Sequence, residues 1–89
     1  MADNELEIPP SAAAREQSFE VLRLWVDPER HHVNVKPSVW ENPLAWGLTL
    51  AYVATAVADA YRQHEGLDPA QTVERIREGF EEGLKHLPK

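Results

Sequence analysis

FEVLRLWVDPERHHVNVK, residues 19–36, holds two short β-prone runs around the tetrapeptide Asp27-Pro28-Glu29-Arg30, and the way those runs pair decides the fold. Asp followed by Pro suits the first two positions of a type I turn. A two-residue loop of Pro28-Glu29 is disfavoured, because the tight hairpin turns need a positive φ at their first loop position and proline cannot supply it. A four-residue loop, Asp27 to Arg30, is therefore expected. It pairs Val26 with His31, Leu24 with Val33 and Leu22 with Val35, which gathers five aliphatic side chains on one face. A slip by one residue would scatter that set over both faces.

Downstream of the hairpin, WENPLAWGLTLAYVATAVADAYRQHEG (residues 40–66) reads as a long helix. Asn42 is its expected N-cap, Pro43 its first helical residue and Gly66 its terminator. Residues 43–65 would span roughly 34 Å. A large stripe (Trp46, Leu50, Val53, Val57, Tyr61) and a small one (Gly47, Ala51, Ala54, Ala58) run along it at helical spacing. A second helix starts at Asp68-Pro69, with Gln71 placed to close a capping box. Its apolar residues are Val73, Ile76, Phe80, Leu84 and Leu87. Gly79 and Gly83 beside them each cost helix stability, about 1 kcal/mol relative to Ala. Close approach of another backbone would repay that, and the small stripe of the first helix is the expected partner. The opposite face, Glu74, Arg75, Glu78, Glu81, Glu82 and Lys85, is expected to be solvated.

Upstream, MADNELEIPPSAAAREQS (residues 1–18) is polar and acidic, and Pro9-Pro10 interrupts regular structure. We expect a flexible acidic tail over 1–18 and a single α+β domain over 19–89: a β-hairpin followed by two α-helices, ββαα. The ELEI fragment alternates, so Leu6 and Ile8 are candidates for an added edge strand.

Composition sets the remaining bounds. With 89 residues and no cysteine, the chain has no disulfide staple and no thiolate zinc site. A core this small rarely supplies more than ~3–5 kcal/mol unaided, so oligomerisation becomes the expected support. The helix over 43–65 is apolar nearly all round between Leu44 and Ala58, and needs cover on most sides. A homodimer sharing a sheet or a helix interface would supply it, with Gly47, Ala51, Ala54, Ala58, Gly79 and Gly83 as candidate interface residues. Joining two hairpins into a four-stranded sheet is one such arrangement.

The formal charge of -6 disfavours nucleic acid as a partner of the whole surface. Five acidic residues against Arg15 alone in the first twenty carry most of the imbalance. No basic, apolar leader opens the sequence, and the most apolar stretch, about fifteen residues, falls short of the ~20 that a membrane span needs. No membrane association and a cytoplasmic location are expected.

The stretches ELEIPP, EVLRLWV and WENPLAWG resemble a group of short bacterial proteins, common in alphaproteobacteria, whose shared domain has no assigned function. The resemblance spans most of the chain and implies an intact bacterial domain. It transfers no activity, cofactor or site residue.

Chemistry-bearing constellations are sparse. His31 and His32 alternate across a strand, so one chain cannot bring both to one ion, and no metal site or cofactor is expected. Ser11, Ser18 and Ser38 lack a nucleophile elbow, and no catalytic residue is assigned. Asp59 ends the apolar run and is expected to point to water. Trp40 and Trp46 are expected to form an aromatic end to the core.

The most specific surface is the hairpin's outer face, where Arg23 and Trp25 stand opposite Asn34 and His32, with Lys36 beyond. Aromatic and cationic groups on a sheet suit stacking and backbone contact with single-stranded nucleic acid or an anionic ligand. The leading expectation is nonetheless a small soluble, non-enzymatic interaction module, self-associating or bound to a partner protein. Ligand or nucleic-acid binding through Arg23, Trp25, His32 and Lys36 is the rival.

Overall fold

The computed structural model of the chain describes residues 4–87. Its elements are α1 (Pro10–Ala13), β1 (Leu22–Val26), β2 (His31–Val35), α2 (Leu44–Glu65) and α3 (Pro69–Leu84). The architecture is α+β, an antiparallel hairpin followed by two long helices, as the sequence predicts. The chain divides into two compact units, one ending at Val39 and the other beginning at Trp40.

In the first unit the hairpin has the expected register, with Leu22 opposite Val35, Leu24 opposite Val33 and Val26 opposite His31. Asp27 closes the loop by donating its amide to the Arg30 carbonyl at 3.0 Å, while its Oδ1 accepts from the amides of Glu29 (2.8 Å) and Arg30 (3.0 Å). One side chain thus satisfies two loop donors, the Asx chemistry that favours Asp at this position. At the far end Lys36 donates to the Val21 carbonyl at 2.9 Å, and its ammonium sits 5.9 Å from the centre of the Phe19 ring, in cation–π range.

Two expectations for the N-terminal segment need correction. Pro9-Pro10 does not exclude a helix: Pro10 occupies the first helical position, where a missing amide costs nothing. The Pro9 carbonyl accepts from Ala12 and Ala13 to form the single turn of α1. The ELEI fragment does not join the sheet, which is two-stranded. Leu6 is 97 % exposed, and Glu5 is fastened to the hairpin instead, accepting from Arg23 at 3.2 Å.

The second unit is a helical hairpin. Asn42 Oδ1 accepts from the Leu44 amide at 3.0 Å, capping α2 across Pro43. Gly66 ends the helix at φ 71° and donates to the Arg62 carbonyl, the left-handed termination that glycine adopts without a Cβ penalty. Asp68 Oδ2 accepts from the Gln71 amide at 3.0 Å to start α3 after a short connection. Along α3, Arg77 pairs with Glu74 and with Glu81, and Arg75 pairs with Glu78, all one turn apart. The polar face is solvated, as expected.

What the helices bury is small. They pack on each other, and Ala58, 1 % exposed, is the only fully buried hydrophobic residue among those described. Ala54 on α2 and Thr72, Val73 and Ile76 on α3 are half-buried. The contact falls on the small stripe of α2, the expected partner of the second helix, while Leu50, Val53, Val57 and Tyr61 of the large stripe remain exposed. Small side chains let two helix backbones approach, so Ala54 and Ala58 take the contact nearest the turn. Further from the turn Phe80 and Leu84 are exposed. At the other end of the unit Trp40 and Trp46 meet edge to face, their centres 5.0 Å apart and their planes at 79°, the arrangement favoured by the ring quadrupoles.

Candidate functional site

The hairpin presents two contrasting faces, and alternation assigns every side chain to one of them. The aliphatic face carries Leu22, Leu24, Val26, Val33 and Val35, with His31 opposite Val26 at its loop end. Leu24 is 53 % exposed and Val33 56 % exposed, with Val26 and Val35 similarly open. Unpaired hydrophobic surface on a two-stranded ribbon is unstable in water, because an isolated hairpin has too little to bury.

The outer face assembles Arg23, Trp25, His32 and Asn34 as expected, around a shallow depression of about 310 Å³. It also draws in carboxylates that the strand pattern does not contain. Arg23 donates through Nε and Nη2 to Glu20 at 3.2 and 2.9 Å, and through Nη1 to Glu5 at 3.2 Å. The hydrogen bond and charge of Glu20, with the charge of Glu5 behind them, raise the guanidinium pKa further. His32 Nε2 lies 2.5 Å from Asp27 Oδ2. That bond to His32, followed by the amides of Glu29 and Arg30, holds the Asp27 carboxyl below its ordinary value. The strands themselves place no acidic residue on this face; Glu5, Glu20 and Asp27 reach it from outside them.

The candidate interface residues part company. Ala58 and, in part, Ala54 are covered within their own helical hairpin, while Gly47 and Ala51 stay exposed. Gly79 and Gly83 do not receive the backbone of α2, since a Cβ on either would meet nothing within 4 Å. The contact with α3 is made nearer the turn, leaving both glycines open.

The remaining candidates have local partners. Asp59 faces outward, accepting from Arg62 at 2.8 Å and from Gln63 at 2.7 Å. His86 Nε2 lies 3.1 Å from a Glu82 oxygen one turn back. No group of three His, Asp or Glu able to hold a metal ion occurs among the described residues. By length and composition alone α2, with 22 residues, is long and apolar enough to cross a membrane, a property not anticipated from its most apolar fifteen-residue stretch.

A ββαα protein, an antiparallel hairpin followed by two long helices, is the class these features define. Over residues 5–87 the chain belongs to the domain family of unknown function DUF5076. It is also similar to a solved structure from the photosynthetic bacterium Rhodopseudomonas palustrus CGA009, described as a provisionally assigned pyruvate dehydrogenase. The two share 30 % sequence identity and a TM-score of 0.72, covering 97 % of this chain and 86 % of that one. No curated protein matches the chain.

Proposed function

We propose that this domain is a self-associating, non-enzymatic interaction module whose working form is a homodimer. The observation that carries the reading is the aliphatic hairpin face, with Leu24, Val26, Val33 and Val35 each more than half exposed. Burying apolar surface returns roughly 25 cal/mol per Å², and neither the hairpin nor the exposed stripe of α2 collects that return from its own unit.

A protein partner accounts for α2 better than a bilayer does. Asp59, Arg62, Gln63, His64 and Glu65 occupy its last two turns. The uncharged part, Leu44–Ala58, therefore reaches only about 22 Å, against a hydrocarbon core of ~30 Å. Capture of single-stranded nucleic acid is less well supported. Both Arg23 and His32 on the outer face already hold carboxylates, so a phosphate would have to displace them. No catalytic step is assigned, because the ionisable groups described above lie on open surface where nothing excludes water from them.

Sedimentation velocity at low micromolar concentration tests the reading. The expected species has twice the chain mass; a stable, folded monomer would overturn it.

A further inference from the structure

A groove of about 1020 Å³ lies wholly within the first unit, lined by every one of residues 4–9 and 18–26 and by no residue of β2. Successive strand residues point to opposite faces, so a space that touches all of β1 runs beside the strand and not over one face. Backbone groups open towards it. Asp27 donates to Arg30 and Lys36 donates to Val21, so the odd-numbered residues of β1 exchange bonds with β2. Leu22, Leu24 and Val26 therefore direct their amides and carbonyls outward. Among the described residues, those groups have no backbone partner.

The groove has room for one strand. A five-residue strand about 4.8 Å from its neighbour, in a layer about 10 Å thick and ~17 Å long, fills roughly 800 Å³. A second hairpin would need about twice that. The far wall is held at both ends: Glu5 accepts from Arg23 at 3.2 Å, and the Pro9 carbonyl is bound into the turn of α1. Its charge is one-sided, since residues 4–9 bring Glu5 and Glu7 and no cation. Around the whole groove, Glu5, Glu7 and Glu20 face only Arg15 and Arg23. Arg23 is shared between Glu5 and Glu20, so that trio keeps one uncompensated negative charge.

We infer that the outer edge of β1 receives an extended segment of a partner protein in which aliphatic residues alternate with lysine or arginine. Added antiparallel, the more stable pairing, its aliphatic residues stand opposite Leu22, Leu24 and Val26 and its cations opposite Arg23 and Trp25. The first cation brings the Glu5–Arg23–Glu20 trio to neutrality, and the second is within cation–π reach of the indole. Main-chain bonds supply affinity, and the alternation supplies selectivity. The added strand lies in the plane of the sheet and leaves its aliphatic face free for a second copy. The inference thus goes beyond the homodimer reading and stands without it.

The probe is the capped peptide Val-Lys-Val-Lys-Val, titrated to millimolar concentration into the full-length ¹⁵N-labelled protein, with sedimentation alongside. The amides of Leu22, Leu24 and Val26 should shift and exchange more slowly, while those of Val33 and Val35 on the outer edge of β2 stay unchanged. Val-Glu-Val-Glu-Val should give no response. Methylating the valine amides of the lysine peptide removes the donors that face β1 in an antiparallel addition, and should abolish binding. Glu20→Gln, which leaves Glu5 fastening the N-terminal segment, should weaken the lysine peptide severalfold. Silence from the lysine peptide, an equal response to the acidic one, or binding that survives methylation overturns the inference. Sedimentation judges the homodimer separately, because neither result on the edge of β1 requires a change of mass in the free protein.

Discussion

His32 Nε2 lies 2.5 Å from Asp27 Oδ2, which ties the loop of the hairpin to the outer face of its second strand. The same carboxylate accepts the amides of Glu29 and Arg30. Three bonds to the charged form hold its pKa below the ordinary 3.8, with the His32 bond contributing most. A depressed folded-state pKa means that the unfolded chain binds the proton more readily. The stabilisation is therefore complete above pH 3.8 and is lost as pH falls through the lower, folded-state value. In urea unfolding followed by tryptophan fluorescence, Asp27→Asn should be less stable than the native protein at neutral pH and should close the gap as pH drops below 4. Asp27→Ala, which also orphans the two loop amides, should be weaker still at every pH. A gap that persists unchanged at pH 2 would show that the carboxylate charge contributes nothing.

The outer face makes a second, opposed prediction. Arg23 is shared between Glu20 and Glu5, and His32 belongs to Asp27, so few free charges remain to release counterions from a nucleic acid. Tryptophan fluorescence titrated with short single-stranded DNA or RNA at physiological salt should not respond in the native protein. Glu5→Gln with Glu20→Gln frees Arg23 and should produce weak binding that vanishes as salt is raised. A native response at physiological salt, abolished by Trp25→Ala, would restore nucleic acid as the partner of this face.

The origin of those carboxylates shows where the sequence stops being readable. Hairpin register, loop length and both long helices are legible because each is dictated locally: Asp27-Pro28 fixes the loop, alternation fixes the faces, and Asn42, Gly66 and Asp68 mark helix ends within one turn. Ion pairing on the outer face is not local in that sense. Glu5 arrives from 18 residues away, and Asp27 reaches around from the loop, so no strand pattern contains either. The helical contact is legible only in part: the small stripe of α2 is the expected partner of α3 and Ala54 and Ala58 take that contact, but Gly79 and Gly83 stay outside it and the large stripe stays exposed. Periodicity identifies a face that wants cover without saying which molecule supplies it.

Helix capping gives a prediction that is independent of association. Asp68 accepts the Gln71 amide at 3.0 Å, and Gly66 adopts φ 71°. Asp68→Ala should cost ~1 kcal/mol. Gly66→Ala should cost a comparable amount, because a Cβ is disfavoured in left-handed backbone. Both should appear as lower melting temperatures in circular dichroism with unchanged helical content in the cold. An Asp68→Asn variant, which keeps the acceptor, should recover most of the loss. If Asp68→Ala melts like the native protein, α3 is held by its packing alone.

Gly79 and Gly83 supply the sharpest separation between surface used within the chain and surface left for a partner. A Cβ at either would meet nothing within 4 Å, and each glycine weakens α3 by up to ~1 kcal/mol relative to alanine. If the dimer forms through the aliphatic hairpin face and no part of the second copy lies on α3, these positions stay open in the assembly too. Gly79→Ala and Gly83→Ala should then each raise stability by about 0.5–1 kcal/mol, leave the sedimentation coefficient unchanged, and act additively with each other to within the few tenths expected of non-contacting sites. Destabilisation coupled to weaker self-association would mean instead that a helix of the second copy lies directly against α3, moving the interface from the sheet to the helices.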